Sequence, residues 1–347
     1  MTVTLFTLPV AMALCLSANV FAQHYVQTNL VSDVPGLAAT TDPHLVNPWG
    51  LTRSATSPWW AADNGTGVAT LYRGDGTIVP LVVTIPVPPG GTPPSAPTGT
   101  VFNGSSDFRG DRFIFVTEEG TVSGWSAGTS AILRVNRAGS TIYKGVTIAQ
   151  NQGANFLYAA NFFAGTVDVF DKDYMPFKLG PSAFSDPLLP DGYAPFNVQS
   201  IGDKLFVTFA RQDEDKEDEV AGPGRGFVDA FDTSGHLVLR LRSGSWMNAP
   251  WGVALAPANF GQFSNDLLVG QFGSGEIAAF DLKHGNFHGL LRGAHGQPVT
   301  IDGLWALSFG NGAAAGPTNT LFFTAGIDDE AHGLFGTITP VAGDDDD

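Results

Sequence analysis

The segment Gly165-Thr166-Val167-Asp168-Val169-Phe170 is one of six copies of a single pattern in this chain. In each copy a glycine is followed by an apolar residue two places on and an aromatic or apolar residue five places on. The other copies are Gly67–Tyr72, Gly120–Trp125, Gly226–Phe231, Gly275–Phe280 and Gly333–Ile338. The copies lie 45 to 61 residues apart, and a repeat of roughly this length is typical of the blades of a β-propeller.

Each copy belongs to a longer unit that predicts four strands. An apolar, β-rich run such as Phe113–Thr117 precedes the glycine, and a Pro or Gly followed by a short apolar run, as in Asn47–Leu51, comes earlier still. A fourth apolar run such as Thr77–Val83 follows the repeat. Six such units predict an all-β protein with the fold of a six-bladed β-propeller.

The two ends of the repeat region predict how the ring closes. The sixth unit ends after its third strand, and an unassigned strand, His24–Val31, precedes the first unit. We therefore expect the N-terminal strand to complete the last blade and to remove a free sheet edge. The propeller is predicted to span residues 23–342, and the acidic residues 343–347 are predicted to form a disordered tail.

The first 22 residues have the character of a signal peptide. They carry no charge, Leu5–Val20 supplies the apolar region, and Val20-Phe21-Ala22 is an acceptable cleavage site. This predicts a secreted or periplasmic protein whose mature chain has no membrane span. Because Cys15 is the only cysteine, the mature chain would have no disulfide, no thiol catalysis and no covalently attached haem.

Charge and motifs exclude several classes of function. A net charge of −16 would repel nucleic-acid phosphates. The chain has no Gly-x-Ser-x-Gly elbow, P-loop, dinucleotide-binding glycine motif or His-Glu-x-x-His zinc motif. These absences leave either a binding protein or an enzyme with a less recognisable site.

The repeat unit resembles those of six-bladed propellers of the NHL, lactonase and streptogramin-lyase type. Longer strings, among them Gly192–Gln199, Gln212–Gly226 and Asp329–Gly336, resemble an uncharacterised secreted bacterial propeller family from genomes with the PEP-CTERM sorting system. The chain lacks the sorting tail of that family and ends in Asp344–Asp347. The resemblance implies the propeller fold and brings no established activity.

Propeller topology predicts which face carries the site. The starts of the innermost strands and the loops between second and third strands should meet at one mouth of the central channel. These segments are rich in charged and amide side chains, whereas the opposite face carries simple turns. The residues predicted to bind a ligand here are Asn47, Trp49, Asn64, Asn197, Trp251 and Gln271.

The aromatic residues and the acidic loop each leave two interpretations open. Trp49, Phe196, Trp251 and Trp305 stand at equivalent positions and could either stack on sugar rings or pack between blades. The loop Gln212–Glu219 could hold Ca²⁺ or be a solvated acidic loop.

One hypothesis, the alternative, is a divalent-metal-assisted lactonase, lyase or hydrolase. The resemblance to lactonase-type propellers implies one Ca²⁺ or Mg²⁺ ion over the channel, for which Glu118, Asn161, Asp302 and Asp329 are the candidate ligands. Glu330 and His332 are the candidate acid–base pair, since a histidine beside carboxylates can move protons near neutral pH. His332 could equally serve to lock the ring closure.

The main hypothesis is a secreted binding or scaffold propeller that recognises an extracellular glycan, small molecule or protein through the polar face. It rests on the aromatic strand starts, the missing catalytic motifs and the acidic composition.

Overall fold

The structure is a computed structural model and describes residues 23–341. The predicted signal peptide and the predicted acidic tail 343–347 lie outside the described residues. Helix is confined there to two short 3-10 turns, Phe108–Gly110 and Gly261–Phe263. None of the helices between residues 23 and 341 is both long and apolar enough to cross a membrane.

The described strands form six mainly antiparallel sheets arranged as the blades of a propeller, which confirms the predicted fold. Two N-terminal strands come first: β1 (His24–Ser32) and β2 (Thr40–Thr41). The first complete blade contains β3 (Pro48–Thr52), β4 (Trp59–Asp63), β5 (Val68–Tyr72) and β6 (Ile78–Thr84). The second contains β7 (Pro97–Phe102), β8 (Phe113–Thr117), β9 (Thr121–Trp125) and β10 (Ile132–Asn136). The third contains β11 (Tyr143–Asn151), β12 (Ala154–Asn161), β13 (Thr166–Phe170) and β14 (Pro176–Phe177).

The remaining strands complete the ring. The fourth blade contains β15 (Tyr193–Ile201), β16 (Lys204–Arg211), β17 (Phe227–Phe231) and β18 (Leu237–Arg240). The fifth contains β19 (Pro250–Leu255), β20 (Leu267–Gln271), β21 (Ile277–Phe280) and β22 (Phe287–Leu290). The last contains β23 (Leu304–Phe309), β24 (Leu321–Ala325) and β25 (Leu334–Val341), to which β1 is added.

The N-terminal strand closes the ring, as the sequence predicts. Strand β1 pairs antiparallel with β25, from His24 opposite Val341 to Ser32 opposite Leu334, with β2 parallel to β1 at the outer edge. The last blade therefore depends on main-chain hydrogen bonds between the two ends of the described chain.

The six-residue repeat has a physical explanation in the loops before and after the third strand. Gly67, Gly120, Gly165 and Gly275 have positive φ angles in the turn that leads into it. The aromatic residue at the strand's end is fully buried in several blades, as for Phe231. In three blades an aspartate follows, and its carboxylate accepts backbone N–H groups of the next turn. The three are Asp171, Asp232 and Asp281.

Glycines let the innermost strands pack backbone to backbone around the channel. A Cβ atom on Gly50 would lie 2.6 Å from the carbonyl oxygen of Thr98, and one on Gly99 would lie 2.6 Å from the amide nitrogen of Val146. These distances are shorter than any side chain tolerates without a backbone shift. The glycines thus determine how close neighbouring blades lie at the channel.

Candidate functional site

One equivalent position in each innermost strand contributes to a layer across the channel, which we call the axial layer. In each blade this position lies at the point where the register of pairing between the first and the second strand shifts. Its six residues are Trp49, Thr98, Lys144, Phe196, Trp251 and Trp305.

The aromatic members of the axial layer contact one another. The ring of Trp49 stacks on that of Trp305 with centroids 3.5 Å apart, and Trp251 meets Trp49 edge-on at 6.2 Å. Phe196 lies 6.2 Å from Trp49 and 5.9 Å from Trp305. All four are nearly or fully buried, so these side chains pack together across the channel. In this structure they expose no ring face on which a sugar could stack.

Lys144 is the charged member of the axial layer, and its side chain is fully buried. Its Nζ atom lies 2.5 Å from Oε1 of Glu118 and 3.1 Å from Oδ1 of Asp218. The ammonium group also lies 4.9 Å from the ring centroid of Trp49 and 5.9 Å from that of Phe162. Two carboxylates and two aromatic faces thus compensate the buried charge.

The carboxylates continue into a hydrogen-bonded network over the mouth. Asn64 Nδ2 donates to Oε2 of Glu118 at 3.0 Å, and Asn47 Nδ2 donates to Oε2 of Glu330 at 2.5 Å. Trp305 Nε1 donates to Oδ1 of Asn47 at 2.9 Å, which ties the network to the axial layer. We call this set the mouth network: Asn47, Asn64, Glu118, Lys144, Asp218, Glu219 and Glu330. Strand starts and second-to-third-strand loops therefore meet at one mouth, as the topology predicts.

Burial and mutual repulsion shift the pKa values of titratable groups in the mouth network. Burial raises the pKa of Glu219 to about 8; Lys144 opposes this shift, and Glu330 and Asp218 add to it. Burial also raises the pKa of Glu330, against the hydrogen bond from Asn47. For Lys144 burial acts to lower the pKa, but Glu118, Glu219 and Asp218 together raise it above its ordinary value. Lys144 is therefore charged at neutral pH.

A cleft of about 450 Å³ opens beside the mouth network. Carboxylates contribute much of its wall, and the half-exposed ring of Phe163 contributes an apolar part. Glu119 Oε1 accepts a hydrogen bond from the Ala96 amide at 2.9 Å, while its buried Oε2 has no partner among residues 23–341. The lining residues are Ala96, Glu118, Glu119, Gly139, Thr141, Ile142, Phe163, Glu217 and Asp218.

Three of the four residues predicted to bind a metal lie in separate hydrogen-bonded groups, and the fourth is exposed in a loop. Glu118 pairs with Lys144, whereas Asn161 donates to Asp168 in its own hairpin. Asp302 accepts the backbone N–H of Asp328, and Asp329 lies exposed in a loop with positive φ. Within the described part of the chain, no three His, Cys, Asp or Glu side chains are arranged to hold a metal ion.

The predicted acid–base pair contacts different partners. Glu330 accepts from Asn47 at the mouth, while His332 Nδ1 lies 2.7 Å from Oδ2 of Asp33, just after β1. The same aspartate accepts the N–H of Gly333 at 2.8 Å. The hydrogen bond with Asp33 raises the pKa of His332. These contacts join the loop before β25 to the end of β1, which is the arrangement expected of a ring-closing histidine.

The predicted ligand-binding residues fall into two groups. Asn47 and Asn64 belong to the mouth network. Asn197 is buried and donates to the Trp251 carbonyl at 2.8 Å, and the buried Gln271 accepts the Asn248 N–H at 2.8 Å. Asn197, Gln271 and the two predicted tryptophans thus belong to the wall beneath the mouth.

The acidic loop Gln212–Glu219 is a short hairpin tip that points its carboxylates in different directions. Gln212 and Glu219 form an antiparallel bridge at its base, and Asp213 accepts the N–H of Glu217 at 3.0 Å. Asp218 reaches Lys144, while Glu217 lines the cleft. The loop therefore forms one wall of the site.

Lys144 is the residue of the mouth network that the sequence analysis missed. Its signal was present, because Lys144 stands before Gly145 at the position where four other blades carry an aromatic residue. A charge at that position of a repeat breaks the packing pattern and requires a partner.

The fold is shared with solved propellers of low sequence similarity, and no established family profile matches the chain. The structure of streptogramin B lyase superposes with a TM-score of 0.53 at 13% identity, covering 93% of this chain and 100% of that one. The PQQ-bound aldose sugar dehydrogenase of Streptomyces coelicolor superposes with a TM-score of 0.52 at 13% identity, covering 91% and 98%. At such identities the likeness shows the fold alone.

Sequence similarity is higher to two proteins of Acanthamoeba polyphaga mimivirus. Uncharacterized protein R648 is 33% identical over 331 residues, which is 89% of this chain and 78% of the viral protein. Uncharacterized protein L690 is 31% identical over 331 residues, which is 89% of this chain and 84% of its own length. The chain therefore belongs to the protein family that includes R648 and L690.

Proposed function

We propose that the protein is an extracellular binding module that holds a cationic group of a glycan or protein in the cleft beside Glu118. The observation that carries the proposal is the composition of this cleft. Glu118, Glu119, Glu217 and Asp218 line it, and only Glu118 and Asp218 pair with Lys144.

The cleft offers a cationic ligand both charge and apolar contact. Glu217 is exposed in the wall, and the partnerless Oε2 atom of Glu119 provides an acceptor whose burial is unfavourable without a donor. Phe163 is 38% exposed, so its ring is accessible to the apolar part of a ligand or to an ammonium group. A net charge of −16 would also favour the approach of cations.

The metal-assisted enzyme receives less support from the arrangement of these side chains. The candidate metal ligands Glu118, Asn161 and Asp302 lie in separate hydrogen-bonded groups. The Lys144 ammonium already pairs with two mouth carboxylates, as a bound cation would. The residues present therefore do not fit an axial divalent ion, and we derive no reaction through one.

The test is calorimetric titration of the chain from Gln23 with two matched pairs of probes. One pair is a chitosan oligomer and its fully N-acetylated counterpart, and the other is a lysine-rich peptide and its acetylated counterpart. We expect binding only by the probes with free amines, weakening as salt rises. Whether the sugar or the peptide binds distinguishes glycan from protein.

Two variants of the same loop locate the binding. Glu217→Gln removes a cleft carboxylate and is expected to cost about 1 kcal/mol, roughly fivefold in affinity. Glu214→Gln removes the same charge from an exposed position that does not line the cleft, and is expected to leave affinity unchanged. Equal losses in both variants, or equal binding of the acetylated probes, would contradict the proposal.

A further inference from the structure

A second cavity, of about 310 Å³, lies in the channel on the far side of the axial layer. It is lined by the later residues of all six innermost strands, at the ends opposite the mouth network. Its volume lies near the lower limit for small-molecule sites, which suits a ligand of about the size of one sugar ring.

Arg53 is the charged residue in the wall of this cavity. Its Nε donates to the Phe309 carbonyl at 2.7 Å and its Nη2 donates to the Gly310 carbonyl at 3.1 Å. The guanidinium carbon lies 5.4 Å from the ring centroid of Trp59. Throughout residues 23–341 no carboxylate lies within salt-bridge distance of it. The half-buried cation thus keeps donors that no anionic side chain uses.

The other polar residues that line the cavity, among those between 23 and 341, are uncharged. Thr100 is 8% exposed, and its buried Oγ1 has no hydrogen-bond partner within the described residues. Thr147 Oγ1 accepts the Ser200 N–H at 3.2 Å and can still donate its own proton. The polar side chains that line the cavity beside Arg53 are Thr52, Thr100, Thr147, Gln199 and Ser308.

We propose that this cavity binds a small hydroxylated monocarboxylate of sugar-acid size, with the carboxylate on Arg53 and the hydroxyl groups on the threonine, serine and glutamine side chains. One unpaired guanidinium calls for one negative charge, and its planar donors match a carboxylate. The hydroxyl and amide groups match a polyol and would leave a purely apolar acid poorly solvated. This site is independent of the mouth and of the function proposed there.

The experiment is calorimetric titration of the chain from Gln23 with three probes. Glucuronate carries a carboxylate and several hydroxyl groups. Glucose has the hydroxyl groups without the carboxylate, and acetate has the carboxylate without the hydroxyl groups. We expect glucuronate to bind about tenfold or more tighter than either, which is 1.4 kcal/mol or more. Glucuronate binding that is no tighter than glucose binding, or no tighter than acetate binding, would overturn the proposal.

Variants assign the binding to this cavity. Arg53→Gln is expected to abolish the preference for glucuronate over glucose, while Arg73→Gln, at an exposed arginine away from the cavity, leaves it intact. Because Arg53 also joins two blades, its variant could fail to fold. Thr100→Val keeps those contacts and is expected to weaken glucuronate binding severalfold. Glucuronate binding that is unchanged in Thr100→Val, or unchanged in a folded Arg53→Gln, would contradict the assignment.

Discussion

The ammonium group of Lys144 lies 2.5 Å from the carboxylate of Glu118 in the layer that crosses the propeller channel. Lysine is rarely buried completely, because an unpaired charge in a protein interior is strongly unfavourable. Here the charge is paired, and its partners come from loops 26 and 74 residues away in the chain. One side chain thus links the core of the ring to the loops of the mouth.

Replacing this charge tests its role in stability. Lys144→Met leaves Glu118 and Asp218 without their cation. Because these carboxylates are 29% and 72% exposed, it is expected to lower the free energy of unfolding by about 1–3 kcal/mol. The control is Lys172→Met, which breaks an exposed pair with Asp173 and is expected to leave the free energy of unfolding almost unchanged. Urea denaturation measures both, and equal effects would contradict the buried ion pair.

A double substitution separates charge from packing. If the loss in Lys144→Met comes from uncompensated carboxylates, adding Glu118→Gln should recover part of it. Additive losses in Lys144→Met/Glu118→Gln would show instead that the two side chains contribute to stability independently of each other.

Glu219 predicts a pH dependence of stability. Its pKa is raised in the fold to about 8, so the folded state holds a proton that the unfolded state releases above its ordinary value of 4.5. This group's contribution to stability is fully present below that value and is lost as pH rises through 8. Glu219→Gln should remove this loss. The difference in free energy of unfolding between the variant and the unsubstituted chain should therefore shift in favour of the variant by up to about 1.4 kcal/mol per pH unit between pH 4.5 and about 8. Denaturant unfolding at several pH values measures this difference, and a pH-independent difference would refute the assignment.

Gly99 tests the packing of the innermost strands. A methyl group there would lie 2.6 Å from the backbone nitrogen of Val146, so Gly99→Ala is expected to cost about 1–3 kcal/mol. Gly180→Ala is the control, because a Cβ atom there meets no heavy atom within 4 Å. Thermal unfolding should show a clear loss for the first variant and almost none for the second. Equal melting temperatures would disprove close packing at the channel.

The ring closure can be tested through His332. Its pKa is raised by the hydrogen bond with Asp33, so the stability it contributes is present at low pH and is lost as pH rises through its folded value. In Asp33→Asn the pKa of His332 should fall, which an NMR titration of the imidazole measures directly. Asp75→Asn, an exposed aspartate in a turn, should leave it unchanged. An unmoved His332 titration in Asp33→Asn would contradict the closure contact.

The fold could be predicted from the sequence because each blade repeats the same requirements. The glycine before the third strand needs a positive φ angle in most blades, and the aromatic residue at its end fills the space between blades. An unassigned strand precedes the first unit, and the sixth unit, which contains Gly333, lacks its fourth strand. Together these two features predicted that the N-terminal strand closes the ring.

The site was less predictable because it depends on where blades differ. Lys144 replaces an aromatic residue of the repeat, and its partners lie in other blades. Asn161 looked like a metal ligand, yet it bonds to Asp168 within its own hairpin. A repeat pattern reports what the blades share, whereas the rotamers and loop paths that join Glu118 to Lys144 follow from three-dimensional packing.

A calcium titration of the melting temperature, with Lys144→Met beside the unsubstituted chain, tests most directly whether this lysine takes the place of an axial metal. Millimolar CaCl₂ should not raise the melting temperature of the unsubstituted chain above that in NaCl of equal ionic strength. In Lys144→Met, calcium should stabilise the protein, because Glu118 and Asp218 have lost their cation. If calcium raised the melting temperature of the unsubstituted chain as much as that of Lys144→Met, or more, this role for Lys144 would be contradicted.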